Sequence, residues 1–215
     1  MFDMKIELLR QTIETADCEV LRDFTSFDPE EWSIVKGPLS WKVTGETILG
    51  GAPDAPTHGQ LFCKTPVTGD VILEFDARIV PPSYHDIVWF WNTTFCADDE
   101  VRWAGGYLGC MAGWWNNLTG IERLPFYDPN AVAACHATEP GRWYHIVSGS
   151  SKDEHFINID GKTVFLMTDS KPADVTHPNY FGFGVYESMC EYRALKVFKA
   201  VATPRRPVYA PGVGK

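Results

Sequence analysis

From about residue 33 to residue 198 the chain passes through short runs rich in β-branched and aromatic residues, separated by turn-forming clusters, and no long amphipathic helix interrupts them. Side chains alternate between the two faces of a strand, so such runs can be read face by face. Val71–Ile79 puts Val71, Leu73, Phe75, Ala77 and Ile79 on one face and Glu74, Asp76 and Arg78 on the other. One face is core; the other is a solvated, charge-paired surface. Residues 87–95 begin apolar on both faces, which predicts a strand inside a sheet that is covered on both sides. Residues 156–166 hold Asp160-Gly161 between two β-rich runs, a two-residue hairpin signal because the tight turn needs positive φ. Runs at 143–148, 180–186 and 192–198 complete the set. Many short strands without helical crossovers predict an all-β jelly-roll sandwich of two curved antiparallel sheets. Residues 1–202 are expected to form that single domain, with 203–215 as an extended Pro/Gly-rich tail.

The chain has 215 residues and a formal net charge of −9, a balance that disfavours nucleic acid and anionic membrane surfaces as partners. The compositional outlier is the aromatic content, 13% with eight Trp and eight Tyr, which asks for a use beyond an ordinary core. The N-terminal MFDMKIELLRQ mixes acids and bases and has no signal-peptide pattern, and no apolar run approaches membrane-spanning length. The expectation is a cytoplasmic protein. Six scattered cysteines without C-x-x-C read as buried free thiols rather than a disulfide framework.

Residues 96–142 break the strand pattern, with frequent Gly, Pro, Asn and Asp, and read as a long loop segment. GWWNNLTGIERLP (113–125) stands inside it and gathers Trp114, Trp115, Asn116, Glu122 and Arg123 near Trp103 and Tyr107. Tryptophan is large and keeps a polar N–H, so several in a polar segment suit the wall of a ligand site. Trp89 and Trp91 share one strand face about 7 Å apart, either as a stacking platform for sugar rings or as core. Asn92 lies by parity on the opposite, Val88/Phe90 face, and the sequence leaves open which face lines a groove. His85 and Asp86 open that strand after the Pro81-Pro82 turn, where an imidazole and a carboxylate can do acid/base work. His136, His145, Tyr186, Glu187 and Glu191 complete the candidates, with His145 the weaker because a lone strand histidine is more often structural. No zinc, EF-hand, P-loop, dinucleotide or G-x-S-x-G motif is present.

The succession WKVTGETI (41–48), GQLF (59–62), DVILEFDAR (70–78), GRWYHI (141–146), FINIDGK (156–162) and FGVYES (183–188) with RALKVF (193–198) resembles the concanavalin A-like lectin/glucanase superfamily. Within it the chain is most similar to the small bacterial YesU-like proteins, and more distantly to 3-keto-disaccharide hydrolase domains. The resemblance covers about residues 30–200 and implies glycan or glycoside ligands on a concave face and its rim loops. It implies no cofactor, and a structural calcium is compatible with it. The laminarinase-type E-x-D-x-x-E or E-x-D-x-E run is missing, because Glu74-Phe-Asp76 continues to Arg78 and Ile79. That double-displacement mechanism is therefore not inherited.

The function expected is a carbohydrate-active protein that holds a glycoside or oligosaccharide in an aromatic-lined groove and cleaves it by hydrolysis or elimination. His85, Asp86, Glu122, His136 and Glu187 are the candidate acid/base residues. Trp89, Trp91, Asn92, Tyr107, Trp114, Trp115, Arg123 and Tyr186 are the candidate substrate contacts. A non-catalytic glycan-binding module and a structural jelly roll that docks a protein partner are the alternatives, and oligomeric state is left open.

Overall fold

The structure is a computed structural model that describes residues 3–36, 41–51, 58–84, 86–96, 99–114, 117–128, 130–134 and 137–205. The strands, in chain order, are β1 (Lys5–Glu7), β2 (Gln11–Glu14), β3 (Glu19–Asp23), β4 (Trp32–Lys36), β5 (Lys42–Val43) and β6 (Ile48–Gly50). They continue with β7 (His58–Cys63), β8 (Val71–Ile79), β9 (Ile87–Cys96), β10 (Asp99–Trp114), β11 (Leu118–Leu124) and β12 (Asn130–Ala133). The remainder are β13 (Tyr144–Ser151), β14 (Glu154–Ile159), β15 (Lys162–Thr168), β16 (Tyr180–Tyr186), β17 (Cys190–Lys199) and β18 (Ala202–Pro204). Two short 3-10 turns, Thr15–Asp17 and Pro29–Glu31, are the helical elements among the described residues.

Two antiparallel sheets face each other. One runs β12-β11-β10-β9-β16-β7-β4 and the other β15-β14-β13-β8-β17-β6-β5, with β3 paired beside β17. This is the all-β jelly-roll sandwich expected. The alternating residues of β8 explain the arrangement: Val71, Leu73, Phe75, Ala77 and Ile79 all enter the core between the sheets. Removing that apolar face from water is the main drive for the sandwich. Trp89, Trp91, Tyr107, Phe181, Phe183 and Tyr192 fill the same layer from the other strands. Asp160 and Gly161 have φ of 51° and 81°, so the β14–β15 hairpin takes the turn its sequence predicts.

Two regions differ from expectation. The N-terminal residues form a third sheet, β1-β2-β18, laid on the outer face of the eight-stranded one. Ile6, Leu8 and Ile13 bury Ile72, Val147, Phe156 and Phe198 there. Thr203 and Pro204, expected to begin the tail, pair with Thr12 and Gln11 instead; residues 206–215 lie outside the described ones. The second difference is 96–142, expected as loop, where β10, β11 and β12 form a long antiparallel ribbon. The glycines that disguise it serve packing: a Cβ on Gly109 would lie 2.4 Å from the Trp89 ring. Strand and tryptophan interlock only where that side chain is missing.

Candidate functional site

Residues of β9, β10, β11, β16 and β7 shape a hollow of about 460 Å³ on the outer face of the seven-stranded sheet. That size is typical of small-ligand sites. Val88 and Phe90 form part of its floor with Leu108, Cys110 and Val185; Trp103, Tyr127, Tyr186 and His58 supply aromatic walls. The polar groups are Asp86, Glu122 and Gln60.

Asp86 opens β9 with φ of 82° and is 3% exposed. The Cys110 thiol donates a 2.9 Å hydrogen bond to its Oδ1, while Oδ2 has no hydrogen-bond partner among the described residues. Burial pushes the carboxyl up to about 7, against the opposing effects of the Cys110 thiol and the Tyr186 backbone. Glu187 adds a like charge nearby that raises it further. Burial also holds the Cys110 thiol well above its usual range, so it acts as a hydrogen-bond donor to Asp86 and not as a thiolate nucleophile. Position 113 must be glycine for this corner to exist, since a Cβ there would fall 2.3 Å from Cys110 Sγ and 2.7 Å from Asp86 Oδ1.

Glu122 enters the hollow from β11, where it is 6% exposed and accepts a 2.5 Å hydrogen bond from Asn130 Nδ2. It pairs with Leu108 across the β10–β11 ladder, and Leu108 also lines the hollow. Its charge acts on both Tyr127 and Cys110, which places it electrostatically within the same site as Asp86. Tyr186 stacks on His58 with ring centroids 4.6 Å apart and planes 10° from parallel. Trp103 tilts over Phe90 at 6.0 Å and meets the Tyr127 edge at 6.5 Å.

Asp86, Glu122 and Tyr186 thus share one hollow. Glu187 sits exposed on the turn after β16, outside the lining, and reaches the site only through its field on Asp86. Trp89, Trp91 and Tyr107 are placed in the core between the sheets, at 0%, 0% and 1% exposure, because the opposite face of β9 lines the hollow. Asn92 is a correction to simple parity. Its φ of 49° marks an irregularity opposite Gly106 in β10, and its side chain turns inward to donate to Ser150 Oγ at 2.8 Å and Asp70 Oδ1 at 3.3 Å. Arg123 follows Glu122 and so takes the other face, with Nε 3.6 Å from Asp169 Oδ2. Asp169 accepts in turn from the Tyr107 hydroxyl, so Arg123 closes the inter-sheet edge instead of orienting a ligand. His85, Trp115 and His136 lie outside the described residues, as does the side chain of Trp114.

His145 belongs to the opposite surface, the outer face of the eight-stranded sheet. Its Nδ1 is 3.0 Å from Asp76 and its Nε2 3.5 Å from Glu74, while Arg193 reaches Asp76 at 3.1 Å. Arg78 binds Glu191 at 2.6 Å. The residues missed from sequence, Val88, Phe90, Cys110, Tyr127 and His58, carry no motif; their only signal was the second apolar face of β9, which had no core left to fill.

Among the described residues no cluster of three or more His, Cys, Asp or Glu side chains is arranged to hold a metal ion.

The fold is that of galectin-like and concanavalin A-like β-sandwiches. No family model matches the chain, and no curated protein matches it in sequence. Solved structures do match. The carbohydrate binding module CBM66 from Bacillus subtilis is 16% identical, with a TM-score of 0.58, over 78% of this chain and 95% of that one. A protein of unknown function with galectin-like fold from Bacillus subtilis is 12% identical, TM-score 0.59, over 86% and 99%. The exoplasmic/lumenal domain of VIP36, bound to Ca2+ and Man3GlcNAc, is 10% identical, TM-score 0.59, over 90% and 92%.

Proposed function

We propose that this protein binds glycans in the hollow on the seven-stranded sheet. The observation that carries the reading is the meeting of apolar floor, aromatic walls and the carboxyls of Asp86 and Glu122 in one cavity of about 460 Å³. Sugars present apolar C–H faces and hydroxyl edges, and such a lining offers aromatic rings to the first and hydrogen-bond acceptors to the second. A carbohydrate binding module and a Man3GlcNAc complex among the structural neighbours support the same ligand class. Membership of the YesU-like family and a reducing, cytoplasmic setting belong to the proposal as well; the five described cysteines are all unpaired thiols, which supports the latter.

Bond cleavage is a second reading, favoured by one observation. Asp86 is held at about 7 in the same hollow as Glu122, so at neutral pH one carboxyl retains a proton that the other can complement. In a hydrolysis, Asp86 would protonate the departing glycosidic oxygen while Glu122 takes a proton from the attacking water. Incubation with a panel of plant oligosaccharides and 3-keto-glycosides separates the readings. Binding is expected as a thermal shift with at least one glycan class, and binding by an Asp86→Asn variant as strong as by the parent protein would sink the site assignment. New reducing ends, reduced by roughly 100-fold or more in Glu122→Gln, are the mark of cleavage. A shift without products leaves a binding protein only.

A further inference from the structure

The two ends of the hollow differ in chemistry. At one end Asp86 lies beside the His58–Tyr186 stack; at the other Trp103 packs on Phe90 and against Tyr127. Asp86 and Phe90 are four residues apart on one extended stretch, so the ends stand about 13 Å apart. That is longer than a single sugar ring.

Exposed aromatics mark the same two ends. The large aromatic side chains most exposed among the described residues are Tyr84, Phe126, Tyr127 and Tyr186, at 68%, 86%, 46% and 50%. Tyr84 and Tyr186 belong to the Asp86 end, the first by chain proximity and the second by lining; Phe126 and Tyr127 belong to the Trp103 end. Aromatic surface left in water beside a cavity is the pattern of a binding surface that extends beyond it. The other exposed large hydrophobics are the aliphatic Leu9, Val20, Leu166 and Val201, none of which lines the hollow.

The charge pattern narrows the ligand. Asp86 is part of the lining, and its Oδ2 is buried and unpartnered among the described residues. A sugar hydroxyl can donate to it. A uronate or sulfate group brings further acceptors and, once Asp86 is ionised, a like charge into a site of low dielectric.

We propose that the hollow takes an uncharged oligosaccharide of more than one unit, one unit donating a hydroxyl hydrogen bond to Asp86 and a further unit stacking on Trp103 and Tyr127. The inference rests on the glycan-binding reading and adds to it the length and charge class of the ligand. Phe126 continues the stacking surface past the rim.

Calorimetric titration of the full chain at pH 8 tests this, using glucan, mannan and fructan series from monosaccharide to hexasaccharide and, beside them, oligogalacturonate. For at least one neutral series, affinity is expected to rise at least about tenfold from monosaccharide to the longer members, the worth of one good stacking contact. Trp103→Ala and, independently, Tyr127→Ala should remove that gain, bringing the affinity for the longer members down to that for the monosaccharide, with near-ultraviolet circular dichroism confirming the folded state. Asp86→Asn should weaken every length. Affinity independent of length, or oligogalacturonate bound as tightly as the neutral sugars, overturns the inference while the glycan reading stands. Binding of no sugar in any series brings down the glycan reading itself and the inference with it.

Discussion

The two outward faces of the sandwich carry similar side chains in opposite electrostatic situations. On the eight-stranded sheet each carboxylate of the central ladder has a cationic or imidazole neighbour: Glu74 and Asp76 with His145, Asp76 with Arg193, Glu191 with Arg78. Even its tryptophan is occupied, since the Arg193 and Arg78 guanidiniums lie 3.9 Å and 4.7 Å from the Trp143 ring centre. In the hollow of the seven-stranded sheet, Asp86 has no cationic partner: the Cys110 thiol donates to Oδ1, and Oδ2 has no hydrogen-bond partner among the described residues. Paired charges hold a surface together; a buried carboxyl left open lowers stability and is kept for something that binds. The same residue type therefore has opposite effects on stability on the two faces.

Asp→Asn substitutions at the two places sharpen that contrast, and the larger effect belongs to the hollow. Folding lifts Asp86 from its ordinary 3.8 to about 7, so the folded protein favours the protonated form. The stability it costs therefore grows as pH rises from about 4 to 7 and is constant above. At pH 8 Asp86→Asn should stabilise the protein by up to about 4 kcal/mol and at pH 4 by little, as read from urea unfolding of both proteins at each pH. The groups around it keep the comparison clean. Cys110, Cys190 and Tyr192 all have raised values and stay neutral across this range, and Glu187 lies on the exposed turn. A variant no more stable than the parent at pH 8 would mean that the hollow is solvated and Asp86 is not buried in function.

Asp76→Asn should move stability the other way, by roughly 1 kcal/mol, since its partners are partly exposed. The His145 hydrogen bond, with Arg193 behind it, holds the Asp76 carboxyl below its ordinary 3.8, so its contribution is present above that pH and is lost as pH falls through the depressed value. His145 is raised above 6.5 chiefly by its hydrogen bond to Asp76. That contribution is full below 6.5 and is lost as pH rises through the raised value. The difference between parent and Asp76→Asn should accordingly be greatest between about pH 4 and 6.5. Equal differences at pH 5 and pH 9 would contradict the pairing.

What could be read from the sequence follows the same division. The five core residues of β8 and the Asp160-Gly161 turn were legible because alternation and turn chemistry are local properties. The β10–β11 ribbon was not, because its glycines answer to neighbouring strands: what excludes a side chain at Gly109 is the Trp89 ring, which sequence cannot place beside it. Asp86, Glu122 and Tyr186 could be proposed singly as polar or aromatic residues at strand ends or in an irregular segment. Their convergence needed the register that sets Glu122 opposite Leu108 and Leu108 opposite Phe90. Trp89 and Trp91 misled for the converse reason, since tryptophan on a two-sided apolar strand fits groove and core equally until the facing layer is known. The irregularity at Asn92 then reversed the parity that would have decided between them.

The smallest expected effects set aromatic against aromatic. Phe126 is 86% exposed, so Phe126→Ala should change stability by no more than about 0.5 kcal/mol. Its effect should appear instead in calorimetry with the longer neutral oligosaccharides, whose affinity falls while that of the monosaccharide is unaltered. Trp143→Ala should show the reverse pattern. It removes two guanidinium contacts at about 0.5–1 kcal/mol each, so stability drops and sugar affinity is unchanged. Stacking surface held by arginines is already satisfied, whereas stacking surface at the rim of the hollow still has a ligand to gain. A loss of sugar affinity in Trp143→Ala equal to that in Phe126→Ala would mean that the two faces do not divide the work, and that the charged ladder is itself part of the binding surface.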